Sequence, residues 1–143
     1  MKNVLFAATM LFAVSFCSAS LVSCSSDDQE DMNVNQNEIL GSWYEEKIES
    51  GENSKSEIVA TWTFNSDKTG TERVEGYLTT KYTDRTKIVD KTVDFTYSYN
   101  GKQVVVVTRN SGKDATSTYD VTINGNKMRM GNETGGYFNL TKK

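Results

Sequence analysis

Ile58-Val59-Ala60-Thr61-Trp62-Thr63-Phe64 is the stretch whose reading decides the fold. With a period of two it sets Ile58, Ala60, Trp62 and Phe64 on one face and Val59, Thr61 and Thr63 on the other. Such alternation, rich in β-branched and aromatic residues, predicts a strand with one face toward a core. The pattern recurs downstream. Over residues 92–99, Val93, Phe95, Tyr97 and Tyr99 face one way, while Asp94, Thr96 and Ser98 face the other. Residues 115–123 alternate again, with Tyr119, Val121 and Ile123 against Thr118, Asp120 and Thr122. Residues 104–107 are consecutive valines, which predicts a strand covered on both faces. From Ile39 onward no 3.6-residue apolar period lasts long enough to predict a helix.

Turn signals separate these runs: residues 65–70, Asn100-Gly101, residues 110–113, Asn124-Gly125-Asn126 and the Gly-rich 131–136. Asn-Gly between alternating runs predicts a type I′ hairpin, because both residues tolerate positive φ. Residues 79–89 read as a strand, a loop, or both. The expected architecture is all-β, with seven or eight antiparallel strands in sequence order. A small up-and-down barrel removes the exposed edges such a meander would otherwise leave; an open sandwich is the alternative. The predicted inward set is Trp62, Phe64, Val93, Phe95, Tyr97, Tyr119, Val121, Met128 and Met130.

The N-terminus reads differently. Lys2 precedes an apolar, uncharged run over residues 4–17, followed by small residues and Leu21-Val22-Ser23-Cys24. A positive flank, an apolar stretch and a small-residue exit predict a secretory signal peptide over 1–23. The quartet ending in Cys24 resembles the lipobox of bacterial lipoproteins. That resemblance implies a diacylglyceryl thioether on Cys24, further acylation such as palmitate, and anchoring to a membrane. Cys17 leaves with the leader, so no disulfide is expected.

After Cys24, residues 25–38 carry Asp27, Asp28, Glu30, Asp31 and Glu38, no basic residue, and only Met32 and Val34 as sizeable apolar side chains. This composition predicts a disordered acidic tether over 24–38. It also holds the molecule's acidity: residues 39–143 contain 15 basic and 14 acidic residues, whereas the whole chain has a net charge of −3. Ser26-Asp27-Asp28 either solubilises the spacer or resembles the export signal of Bacteroidota surface lipoproteins. The expected location is therefore the cell envelope, lipid-anchored at the outer membrane and facing outward if the export signal is read.

Composition excludes several chemistries. The 143 residues include no histidine, which removes Ser-His-Asp and Cys-His catalysis, histidine metal sites and histidine pH switches. Glu45, Glu46, Glu49, Glu52 and Glu57 crowd the first strand and the loop after it, where a solvated edge explains them better than a paired-carboxylate hydrolase. Asn65-x-Asp67-x-Thr69-Gly70 partly imitates a calcium loop, but Gly76 stands where a bidentate Glu is required, so a hairpin turn is expected. Residues 131–136 lack the Lys-Ser/Thr of a phosphate loop, and the near-neutral body shows no basic stripe for nucleic acid. No enzyme activity, catalytic residue, metal or cofactor is expected.

A family resemblance accompanies these readings. Ile39-Leu40-Gly41-Ser42-Trp43 resembles the Gly-x-Trp opening of the first lipocalin strand. Residues 64–71 (Phe-Asn-Ser-Asp-Lys-Thr-Gly-Thr) and Tyr97-Ser98-Tyr99-Asn100-Gly101-Lys102 resemble two hairpins of the lipocalin-like domains found in Bacteroidota lipoproteins, small calycin-like barrels. The resemblance implies that Gly41 and Trp43 plug the closed end of a barrel domain spanning 39–143. It also implies a small apolar or amphipathic ligand in the mouth. The sequence departs from true lipocalins in its shorter body, its lack of a disulfide, and the absence of a helix after the last strand. Trp62, Tyr97, Tyr99 and Tyr119 are the leading ligand contacts if a ligand is bound. The competing expectation is that these rings fill the core and that the protein acts through its exterior, as a structural or protein-binding subunit of a surface complex.

Overall fold

A computed structural model describes residues 35–143. The expected leader, Cys24 and the tether up to residue 34 lie outside the described residues. Alternating runs become strands where one face can be buried and turn chemistry lets the chain reverse. They are β1 (Gly41–Ser50), β2 (Ser54–Phe64), β3 (Thr69–Thr80), β4 (Thr83–Tyr99), β5 (Gln103–Asn110), β6 (Lys113–Asn124), β7 (Lys127–Asn132) and β8 (Gly136–Lys142). Each pairs antiparallel with its neighbour in sequence, and β1 closes onto β8 through Trp43–Lys142 and Tyr44–Thr141. The molecule is therefore an eight-stranded up-and-down barrel, and the sandwich alternative is set aside.

The inward faces are those the alternation predicts. Trp62, Phe64, Phe95, Tyr97, Val121, Met128 and Met130 are buried, while Val93 and Tyr119 stay half-buried nearer the mouth. The valine run is covered more on one side than the other: Val104 and Val106 are buried, and Val105 and Val107 lie half-exposed on the outer wall. A barrel of this size has no second layer to cover that wall, so the expectation of two covered faces is corrected.

Trp43 closes the lower end. It is fully buried, its indole Nε1 donates to the Ile39 carbonyl at 2.8 Å, and the Lys142 ammonium lies 5.0 Å from its ring centroid. Gly41 enters β1 at φ 108, a conformation that disfavours a side chain. The expected tether is shortened here, because residues 35–38 form a turn in which Glu38 N donates to the Asn35 carbonyl at 3.1 Å. Burial of Ile39 draws that turn against the barrel.

The turns follow their chemistry except at the two Asn-Gly pairs, where neither Asn100 nor Asn124 takes the positive φ that a type I′ turn would place on it. Ser111-Gly112 has both residues at positive φ, as a two-residue I′ hairpin requires. At Asn100-Gly101 the reversal is instead the pair Gly101-Lys102, with Gly101 alone at positive φ: the Asn100 N–H donates to the Gln103 carbonyl at 3.1 Å, and the Asn100 side chain accepts from the backbone N–H groups of Lys102 and Gln103. In the loop after β2, Asp67 Oδ1 accepts from both the backbone and the hydroxyl of Thr69. Residues 79–89 resolve into the end of β3, a tight turn at Lys81-Tyr82 and the start of β4.

Toward the upper end the barrel opens at two seams. β4 pairs with β5 only from Phe95 to Tyr99, so residues 83–94 are held by β3 alone. Above Tyr44, β1 and β8 part, and Glu45 reaches across to accept from the Asn139 backbone N–H at 3.1 Å. The upper halves of β1–β4 thus stand as a long sheet above the shorter β5–β8 wall.

Candidate functional site

The mouth of the barrel is built on a floor of rings. Trp62 is 2% exposed, with ring centroids 5.6 Å from Phe95, 5.8 Å from Phe138 and 6.0 Å from Tyr119. These residues come from β2, β4, β8 and β6, and only closure of the barrel brings them together. The Trp62 Nε1–H is buried and has no acceptor among the described residues. A buried donor without a partner costs about 1–3 kcal/mol.

Above this floor the inward positions are only half-buried: Ile58 and Ala60 on β2, Glu72, Val74 and Leu78 on β3, and Val93 on β4. Glu72 lies opposite Trp62 across the β2–β3 ladder and opposite Val93 on β4, which fixes its side chain on the lumen face. Burial pushes its carboxyl above the usual carboxylate range, and the attraction of Lys91 only partly opposes this. Burial likewise raises the Tyr119 phenol; a hydrogen bond with Ser117 opposes that rise, and the charge of Glu72 adds to it. β3 and β6 are not neighbours in the sheet, so Glu72 and Tyr119 sense each other through the lumen.

The four predicted contacts divide. Trp62 and Tyr119 meet in the floor. Tyr97 and Tyr99 lie deeper, both 5% exposed, with the Tyr97 hydroxyl donating to the Asn65 carbonyl at 2.7 Å and its ring edge-on to Phe64 at 5.0 Å. Sequence reasoning passed over Glu72 and Phe138. The signal for Glu72 was present: along β3 the inward positions are Gly70, Glu72, Val74, Gly76, Leu78 and Thr80, and only one of them is charged.

The crowded glutamates do not converge. Glu57 points to the outer wall, where Lys55 and Arg85 bind its two oxygens and hold its carboxyl below the usual range. Glu45 pairs with Lys47 at 3.3 Å. Among the described residues, no group of three or more acidic or thiol ligands is placed to hold a metal. The outer wall of β6–β8 carries a shallow groove lined by Thr122, Arg129, Asn139 and Thr141, outside the lumen.

A search of curated proteins gave no significant match. The family model for a lipocalin-like domain matches residues 39–130, more than half of the 143-residue chain. The match begins at the buried Ile39 beside the Trp43 plug and runs through seven of the strands, ending at Met130 in β7. With the closed eight-stranded barrel already in place, the conclusion is direct: the chain belongs to the family of lipocalin-like domains.

Proposed function

We propose that this protein is a lipid-anchored envelope lipoprotein that binds a small apolar or amphipathic ligand in the barrel mouth and performs no catalysis. The observation that carries the ligand reading is the half-open lining above a closed aromatic floor. Ile58, Ala60, Val74, Leu78 and Val93 present apolar wall that stays partly exposed, and closing a ligand over it removes that area from water. The unsatisfied Trp62 N–H in the floor adds to the case. The anchor and the outer-membrane address rest on the leader and Cys24 motif of the sequence.

Native mass spectrometry of the full chain, extracted from the envelope of a Gram-negative host, tests the carrier role. The expected result is a reproducible small-molecule adduct that disappears in Trp62→Ala while the fold persists by circular dichroism. A bare mass from several independent extractions overturns the ligand reading. In the same extracts, Cys24→Ala is expected to leave the membrane fraction; retention there overturns the anchor.

A second reading has its own support. Tyr82, Ile88 and Val89 are large apolar residues 41–83% exposed on β4 and the turn before it, next to the edge that β5 leaves unpaired, and Ile48 is 50% exposed on β1 of the same sheet. Exposed apolar residues beside a free strand edge suit a protein partner in a surface complex. Crosslinking in intact envelopes that captures one partner, and loses it in Ile88→Asp, would favour this role.

A further inference from the structure

We propose that the closed end of the barrel docks on the anionic lipid surface of the membrane that holds the chain, through lysines arranged around the Trp43 plug. The proposal rests on the anchor reading and adds what the barrel does at the anchored surface. In an up-and-down barrel every second turn falls at one end, and here β1 begins and β8 finishes there as well. Lys68 lies in the β2–β3 turn, Lys102 in the β4–β5 turn and Lys127 at the start of β7, while Lys142 and Lys143 stand at the end of β8 and just past it. Lys68 is half-buried and the other four are exposed. Neutral partners hold the ammonium groups: Lys68 donates to Gln36 Oε1 at 3.2 Å, Lys127 to Thr141 Oγ1 at 2.8 Å and Lys143 to Thr61 Oγ1 at 3.4 Å, and Lys142 lies over the Trp43 ring. None of the five forms an ion pair among the described residues, whereas Lys47, Lys55, Arg73, Arg85 and Lys87 of the upper sheet all do. The acids nearby are Glu38, Asp67 and Asp120, and the last two are already engaged by Thr69 and Gln103. The closed end therefore keeps a positive surplus that nothing in the barrel cancels.

The chain enters the barrel at this same end. The turn over residues 35–38 leads into the buried Ile39, whose carbonyl accepts from Trp43. Ten residues separate Asn35 from Cys24. Even fully extended they reach no more than about 40 Å, so acyl chains on Cys24 keep the lysine-bearing end within that distance of the bilayer. Attraction between a lysine and an anionic membrane fades within a Debye length, about 8 Å at physiological salt. Docking thus requires contact, and a plane of anionic headgroups meets lysines from several turns and strands at once. The acidic stretch over 27–31 is one short segment and covers fewer of them. Docked this way, the mouth opens away from the bilayer, and the carrier exchanges its ligand with the aqueous side.

The test reconstitutes the chain, as a Gram-negative host processes it, on vesicles of phosphatidylcholine alone or with about a quarter phosphatidylglycerol. Pulse acetylation is read residue by residue by mass spectrometry. Labelling is expected to run about fivefold slower at Lys102, Lys127 and Lys142 on the anionic vesicles, and to be unchanged at Lys47, Lys81 and Lys113 toward the mouth. High salt is expected to erase the difference. Lys102→Gln combined with Lys127→Gln, both at exposed positions, is expected to move Lys142 back toward its rate on the neutral vesicles. Equal rates on the two vesicles, slowing at the mouth as large as at the closed end, or an unchanged difference in the double variant overturns the docking and leaves the anchor standing. Slow labelling on both vesicles that Asp27→Asn with Asp28→Asn relieves places the chain's own acidic stretch on the lysines, and also overturns the docking. Failure of the chain to float with either vesicle overturns both readings.

Discussion

Gly70 shows how tightly single positions are specified in this barrel. It lies opposite Phe95 on β4, and a Cβ there would overlap the Phe95 ring and the Thr63 carbonyl. The ring occupies the space a side chain would take, so the constraint is steric and not a matter of φ. Gly70→Ala is expected to destabilise the fold by about 1–3 kcal/mol, the usual cost of overpacking, measured by urea denaturation. Glu72 makes a prediction of opposite sign. Its carboxyl is raised in the folded state, so the fold binds the proton more tightly than the unfolded chain does. The penalty is absent below the unfolded pKa and grows as pH rises through the folded value. Glu72→Gln is therefore expected to melt higher than the wild type at pH 7 and level with it under acid conditions. Parallel thermal melts across pH, with the two curves staying level throughout, would contradict this.

Among the elements, β4 is the one whose two halves differ in kind. Residues 95–99 all pair with β5, the first two of them with β3 as well, and their lumen-facing side chains are buried, while residues 83–94 hang on β3 alone. An unpaired edge invites aggregation unless it is interrupted or charged. Here a register shift beside Ile88 breaks the edge, and Arg85, Lys87, Asp90 and Lys91 charge it. On the outer wall Arg85 stacks over Tyr77 with its guanidinium 3.4 Å from the ring centroid, and Lys87 reaches Glu75 at 2.8 Å and Asp90 at 3.0 Å. Hydrogen exchange by mass spectrometry is expected to find residues 83–94 exchanging well ahead of 95–99. Glu57, Glu75 and Asp90 all have carboxyls held low by these partners. Their contribution is present above the unfolded pKa and is lost as pH falls through the depressed folded values, so the upper sheet is expected to loosen in acid before the floor does. Uniform protection along β4 at every pH would refute this division.

For the whole molecule, closure is the step that local structure cannot anticipate. Seven of the eight seams join strands adjacent in sequence, and the eighth joins β1 to β8 across nearly the full length of the barrel domain. Such non-local pairing slows folding to about milliseconds or seconds. The chain has no proline, which removes the commonest cause of a slower phase. Refolding followed by tryptophan fluorescence is expected to finish without a phase of tens of seconds and to be unaffected by a prolyl isomerase.

Strand order and the inward face of each alternating run were legible in the sequence because each is encoded locally, by a two-residue period or a turn residue. Trp62, Phe64, Phe95 and Tyr97 declare their side of the sheet without reference to any other strand. The same locality explains what was missed. The Asn100-Gly101 turn differs because a side chain competes for the backbone donors, a choice that periodicity does not record. Tyr97 and Tyr119 both point inward, yet depth along the barrel axis separates a packed ring from a mouth ring, and depth depends on strand stagger. Glu72 acquires its character only when closure sets β3 across the lumen from β6 and removes water from between them. The sequence by itself determined which residues face inward; the tertiary structure alone decided which of them share one space, because convergence comes from register and closure.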